Sequence, residues 1–126
     1  MSPKTRKITG WILTGLIALA MILSAVLKLT GSPVALKLAA AVGFSASTYQ
    51  LIGLIEVLST VLFIVPRTGI LGTLLLAAYL GGAIATHWQH QQPALPAVIL
   101  ECLVWITATI RFQELSKRIM GITDGQ

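Results

Sequence analysis

Long apolar runs separated by short polar stretches dominate the chain. The four longest cover about residues 10–29, 49–65, 69–87 and 93–110. A helix that crosses a bilayer needs roughly 20 mostly apolar residues, so each run predicts one transmembrane helix. We therefore predict an all-α membrane protein, a four-transmembrane-helix bundle that forms a single domain over residues 1–126, with a polar tail at 111–126 that frays.

A shorter apolar run lies between the first two predicted spans. Val34 to Phe44 contains only one charged residue, Lys37, but is too short to cross a membrane. An apolar helix of this length with a lysine that reaches water is typical of the membrane interface. We predict a short interfacial helix here, followed by a polar turn that starts at Ser45.

The third run is rich in small residues at helical spacing. Two series recur at every fourth position: Ala77, Gly81 and Ala85, and Ala78, Gly82 and Thr86. Small residues at this spacing let neighbouring membrane helices approach closely. The pattern favours a third helix at the centre of the bundle. The alternative is an alanine- and glycine-rich helix that faces lipid.

Composition and charge support a membrane protein. Hydrophobic residues make up 56% of the chain and charged residues only 10%, which leaves too little polar surface for a water-soluble globule. The formal charge of +5 comes from basic residues near the chain ends and the span junctions. This placement favours lipid head groups as counter-charges, and we expect no nucleic-acid partner. The one cysteine, Cys102, excludes a disulfide within the chain.

The basic residues also predict an orientation. Seven of them would lie on one side of the membrane and only two, Lys28 and Lys37, on the other. By the positive-inside rule, we expect an inner (plasma) membrane protein with both termini in the cytoplasm. The first run resembles a signal peptide, but it continues past Ala18-Leu19-Ala20 to full spanning length, which favours a retained helix.

Ionisable residues fall at similar depths in the outer half of the predicted bundle. They come from four different spans and are Lys28, Glu56, Tyr79, His87 and Glu101. A carboxylate inside a span is costly unless it is paired, hydrated or protonated, so intramembrane carboxylates usually mark functional sites. Convergence of such groups at one level is the usual layout of a site inside a helix bundle.

Two interpretations of this polar layer remain open. In the functional one, an outward-facing pocket uses Glu56, His87 and Tyr79 as catalytic groups. Its ligand-binding residues are then Lys28, Glu101 and Trp105. In the structural interpretation, Glu56 only forms an ion pair with Lys28, and Glu101 forms a hydrogen bond with Tyr79 or with the backbone. Polar groups from several helices at one level favour the functional interpretation.

Metal and cofactor signals are weak. His87 and His90 have i, i+3 spacing, but paired histidines beside Trp88 at a helix end are more typical of interface-exposed residues. We therefore predict no metal site. The chain also lacks a glycine-rich phosphate loop and a haem motif, so the sequence names no cofactor.

The third run carries a family likeness. Its stretch Tyr-Leu-Gly-Gly-Ala-Ile-Ala-Thr-His at 79–87 follows the run from Leu62 to Arg67, with Glu56 and Lys28 on the helices before. This pattern, from about Gly10 to Arg111, resembles the DoxX-like family of small four-helix membrane proteins. The family takes its name from a subunit of a thiosulfate:quinone oxidoreductase. The resemblance therefore implies a four-helix membrane bundle and an association with redox systems. The positions matched by similarity are Lys28, Glu56, Arg67, Tyr79 and His87.

Four functions remain in competition. The first is a site for a small lipophilic, quinone-like molecule in a subunit or accessory of a membrane redox system. The alternative is a cofactor-free membrane enzyme, of isomerase or hydrolase type, that uses Glu56 and His87 for acid/base chemistry on a lipophilic substrate. A small proton-coupled transporter and a ligand-free scaffold are the other two. The expected partners are the bilayer, such a ligand, and a redox partner protein or further copies of the chain.

Overall fold

The computed structural model of the protein describes residues 1–122, all of whose regular structure is helical. Six α-helices follow one another: α1 (Pro3–Thr30), α2 (Pro33–Ala41), α3 (Ala46–Ile64), α4 (Gly69–Gln89), α5 (Leu95–Arg111) and α6 (Gln113–Ile119). A short 3-10 turn, Pro66–Thr68, joins α3 to α4. The all-helical part of the prediction is confirmed, and α2 coincides with the short helix expected between the first two spans.

Three or four of these segments are suited to crossing a membrane. By length and apolar composition, α1, α3, and α4 with its preceding 3-10 turn can each span a bilayer. The fourth candidate, α5, has 17 residues. It meets the same criteria only together with α6, from which it is bent by 112°. The sharp bend separates an apolar helix from a polar one.

Serine caps set the starts of the first three helices. Ser2 accepts a hydrogen bond from the amide of Thr5, Ser32 does so from Ala35, and Ser45 from Thr48. In α1 and α2 a proline follows the cap, where its missing N–H costs nothing. The polar turn predicted after α2 is thus the N-terminal cap of α3.

The four long helices pack in a closed ring. In this ring α1 contacts α3, α3 contacts α4, α4 contacts α5, and α5 returns to α1. Successive long helices are antiparallel, as in an up-and-down bundle; α2 lies in the connection between α1 and α3, and the other two connections are short. The core side chains that fill the middle are Ile17, Met21, Phe63, Leu76, Leu80 and Val104. Most large aliphatic side chains outside this cluster point outward, which suits a lipid surround.

The prediction that α4 lies at the centre of the bundle is wrong. It is one member of the ring, and a Cβ atom at Gly81 or Gly82 would meet open space; Gly81 is exposed, and Gly82 borders a cavity between the helices. Close helix contact occurs instead at Gly72, where a Cβ atom would collide with the backbone of Phe63 on α3. The spacing of small residues shows that they share a face, but it does not show whether that face meets a helix or lipid.

Two arginines join the helices at the end of the bundle where α1 and α4 begin, here named the basic end. Arg111 donates hydrogen bonds to the carbonyl oxygens of Phe63 (2.7 Å) and Ile64 (2.9 Å) at the end of α3. Its guanidinium also lies 4.8 Å from the ring centre of Trp11 on α1. Arg6 likewise donates to Ile110 at the end of α5 (2.6 Å). Both arginines satisfy carbonyl groups that a helix end leaves without partners.

The predicted fraying tail is helical in part. Residues 113–119 form α6, with Glu114 in the first turn and Lys117 and Arg118 in the last. This charge order complements the helix dipole, which the sequence interpretation of a polar tail did not take into account. The final part of the predicted tail, residues 123–126, lies outside the described residues.

Candidate ligand-binding site

A cavity of about 440 Å³ lies between the four long helices at the end opposite the basic end, here named the cavity end. All four helices line it, and α2 contributes Leu38 and Val42. Most of the wall is apolar. The polar side chains on it that matter for chemistry are Lys28, Glu56, Tyr79 and His87. The structure therefore brings four of the six predicted site residues to one cavity.

Glu56 is the centre of a hydrogen-bonded group in this wall. It is 1% exposed. Its Oε2 atom accepts a hydrogen bond from Lys28 Nζ at 2.9 Å and another from the Tyr79 hydroxyl at 2.9 Å. Lys28 Nζ also donates to the Ser24 hydroxyl, one turn earlier on α1. A buried ion pair of this kind is stable only when hydrogen bonds supplement the charge attraction, which both neighbours supply here.

Gly53 on α3 is what lets Lys28 reach Glu56. A Cβ atom at position 53 would lie 2.9 Å from Lys28 Cβ and 3.3 Å from the carbonyl oxygen of Ala25. The missing side chain allows α1 to approach α3 one turn before Glu56. The lysine stem therefore runs along α3 and places its ammonium beside the carboxylate.

The second carboxylate oxygen of Glu56 remains available. Neither Lys28 nor Tyr79 bonds to Oε1, and no other described residue donates a hydrogen bond to it. One oxygen is thus held by a cation and a hydroxyl, while the other is an unused acceptor on a residue that lines the cavity. Such an arrangement fixes the orientation of the carboxylate and leaves it able to accept a hydrogen bond or a proton from a bound molecule.

His87 lies on the cavity wall about two turns further along α4 than Tyr79. Its Nδ1 atom is 2.7 Å from the carbonyl oxygen of Ala83, which can only accept, so Nδ1 carries the proton. Nε2 of the neutral ring is then an acceptor. His90 uses Nδ1 in the same way on Thr86 but does not line the cavity. In the part of the chain that the structure describes, no three His, Cys, Asp or Glu residues cluster as metal ligands would.

Glu101 and Trp105 do not lie with the other predicted site residues. Neither lines the cavity; the indole of Trp105 donates to Glu101 Oε1 at 2.9 Å on the same helix. Glu101 Oε2 is buried without a hydrogen-bond partner. Leu100 and Val104 face the interior, and at about 100° per residue the next positions turn away from it. The sequence pattern placed Glu101 at the level of Glu56 and Tyr79, but Glu101 does not lie on the cavity wall with them.

The family match agrees with this geometry. The model of the DoxX-like family matches residues 12–110, which include α3, α4, most of α1 and α5, and every cavity residue discussed above. The chain belongs to the DoxX-like family. Neither the curated proteins nor the solved structures contain a match to the chain. The family identifies a small integral membrane protein, and the function must be argued from the site.

One residue of this DoxX-like site was missed by the sequence analysis. Tyr49 lines the cavity, and Lys28 Nζ lies 5.4 Å from the centre of its ring. In the sequence, Tyr49 marks only the predicted start of the second span. Tyr49 precedes Glu56 by seven residues, which is two helical turns, so the spacing already placed the two side chains on one face.

The Tyr79 hydroxyl gives a first test of the hydrogen-bonded group. Tyr79→Phe is expected to lower the free energy of unfolding by about 1–2 kcal/mol, because a buried carboxylate loses one of its two donors. The measurement is unfolding of the purified protein in mixed detergent micelles. Tyr49→Phe is the matched control, since the Tyr49 hydroxyl makes no hydrogen bond to a described residue. Equal effects of the two variants would contradict the arrangement around Glu56.

Proposed function

We propose that this DoxX-like protein binds a small lipophilic, quinone-like molecule in the cavity and serves as a subunit or accessory of a membrane redox system. The observation that carries the proposal is the buried Glu56, with one oxygen held by Lys28 and Tyr79 and the other without a donor. Apolar walls with a few fixed polar groups are typical of small-molecule sites, and a volume near 440 Å³ is in their usual range.

The free polar atoms favour a ligand that donates hydrogen bonds. Glu56 Oε1 and His87 Nε2 are both acceptors, whereas the Tyr79 hydroxyl is engaged and Lys28 uses two of its three N–H groups on Glu56 and Ser24. A hydroquinone presents two hydroxyl groups and satisfies both acceptors. A quinone offers only carbonyl oxygens, which can accept from the remaining N–H of Lys28 but leave both acceptors without a partner. We therefore expect tighter binding of the reduced form.

We also propose how the protein lies in its membrane. All four long helices cross, α2 lies at one interface, and the basic end faces the cytoplasm from the inner (plasma) membrane. Basic residues support this, since Arg6, Arg67 and Arg111 all lie at the basic end, while Lys28 and Lys37 lie towards the cavity end. In this orientation the cavity lies in the outer half of the membrane.

Mass spectrometry of the small molecules that co-purify with the protein tests the proposal. The wild-type chain is compared with the double variant Glu56→Gln, His87→Ala, after both are shown to be folded at the temperature of the experiment. We expect a quinone or hydroquinone to be enriched with the wild type and to be lost from the variant. Equal recovery from both proteins would contradict the assigned binding groups.

A cofactor-free acid/base enzyme is the second candidate, and one observation favours it. Lys28 and Tyr79 orient the Glu56 carboxylate and leave Oε1 free, which is the arrangement of a positioned general base. His87 would be its proton-transfer partner. Turnover of a lipophilic ester or enolisable ketone without any electron acceptor, lost in Glu56→Gln, would favour this function over the redox one.

A further inference from the structure

A second cavity, of about 530 Å³, lies at the basic end, far from Glu56. Its walls are the turn between α3 and α4 on one side and the bend between α5 and α6 on the other. Arg67 and Thr68 come from the turn, and Gln113 and Glu114 from the start of α6. The proposed function uses none of these residues.

The two opposite charges in this cavity are not paired with each other. Arg67 is exposed and forms no ion pair or hydrogen bond with a described residue, and the same holds for the side chain of Glu114. The other arginine on the wall, Arg111, is occupied by the carbonyl oxygens of α3. A separated cation and anion on one concave surface match a ligand that carries both signs of charge.

Apolar residues complete the wall on the side of α4. Ile70 and Leu71 follow the turn directly and line the same cavity, and Leu71 is 52% exposed. A ligand seated between the charges therefore lies beside an apolar helix surface. The cavity is at the end of the bundle where helices leave the hydrocarbon, which is the depth of lipid head groups.

We propose that this cavity binds the head group of a zwitterionic, amine-bearing phospholipid such as phosphatidylethanolamine. Arg67 binds the phosphate as a charge-assisted hydrogen-bond donor. Glu114 accepts hydrogen bonds from the primary ammonium group. One acyl chain lies along Ile70 and Leu71. The carboxylate makes the site selective, because it repels a purely anionic head group such as phosphatidylglycerol.

The test is native mass spectrometry of protein reconstituted with equal amounts of phosphatidylethanolamine and phosphatidylglycerol. We expect the wild type to retain more phosphatidylethanolamine. Arg67→Gln should reduce retention of both lipids, and Glu114→Gln should shift the ratio towards phosphatidylglycerol by about two- to fivefold, the range for single exposed charge contacts. Lys37→Gln, an exposed lysine on α2, is the matched control and should change neither amount.

Three results would overturn the proposal. The first is lipid retention by Arg67→Gln equal to that of the wild type. The second is an unchanged lipid ratio in Glu114→Gln. The third is displacement of the bound lipid by soluble phosphoethanolamine at millimolar concentration, which would mean that the site recognises a free metabolite-like head group and not a membrane lipid.

Discussion

Replacing Lys28 by methionine is expected to lower the free energy of unfolding by about 3–5 kcal/mol, the usual cost of removing one partner from a buried ion pair. The side chains of Lys28 and Glu56 are only 11% and 2% exposed. Methionine keeps most of the apolar stem but leaves the Glu56 carboxylate without its cation. The measurement is equilibrium unfolding in mixed detergent micelles.

A second variant separates loss of the cation from loss of packing. Lys28→Met combined with Glu56→Gln removes both charges and should recover most of the lost stability, since no uncompensated charge remains. Lys37→Met, which removes an exposed lysine from α2, should change the stability little. Failure of the double variant to recover would mean that Lys28 acts through packing and not through Glu56.

The second large effect is expected at Gly72. Gly72→Ala should destabilise the bundle by about 3 kcal/mol, near the top of the range for overpacking, because the added Cβ collides with the backbone of Phe63. Backbone atoms cannot move aside as a flexible side chain does, so α3 and α4 must separate. Unfolding in mixed micelles measures this change as well.

Gly81→Ala is the matched control on the same helix. A Cβ atom at Gly81 meets nothing within 4 Å. Alanine also favours helix over glycine, by up to about 1 kcal/mol, so the variant should be as stable as the wild type or slightly more stable. A large loss at Gly81 together with none at Gly72 would contradict the packing of α4 described here.

Apolar periodicity was enough to predict the helices of this protein. The apolar runs predicted α3 and α4 to within three residues at each end, and the run from Val34 predicted the start of α2 to within one residue, whereas α1 begins at Pro3 and not near Gly10. The bend before α6 was not predicted; it lies at Phe112, whose ring packs against Gly69 at the start of α4. Tertiary contacts of this kind leave no periodic signal in the sequence.

The position of a site residue along its helix was easier to predict than the direction in which its side chain points. Counting residues from the span ends placed Lys28, Glu56, Tyr79 and His87 in one half of the bundle, and these residues line one cavity. The same counting could not tell that Glu101 turns away, because its helix face depends on which neighbours α5 meets. The packing of the small residues on α4 was predicted wrongly for a similar reason: Ala78, Gly82 and Thr86 line the cavity, and Gly81 and Ala85 are exposed.

The most direct test of the account is a binding titration with a short-chain hydroquinone, kept reduced, on two matched variants. Ala83 lines the cavity, whereas Ala85 on the same helix is exposed and does not. We predict that Ala83→Phe fills the cavity and raises the Kd at least about tenfold, a cost of roughly 1.4 kcal/mol. Ala85→Phe should leave the Kd unchanged. Absence of binding by the wild type, or equal binding by both variants, would contradict the assignment of this cavity as the ligand site.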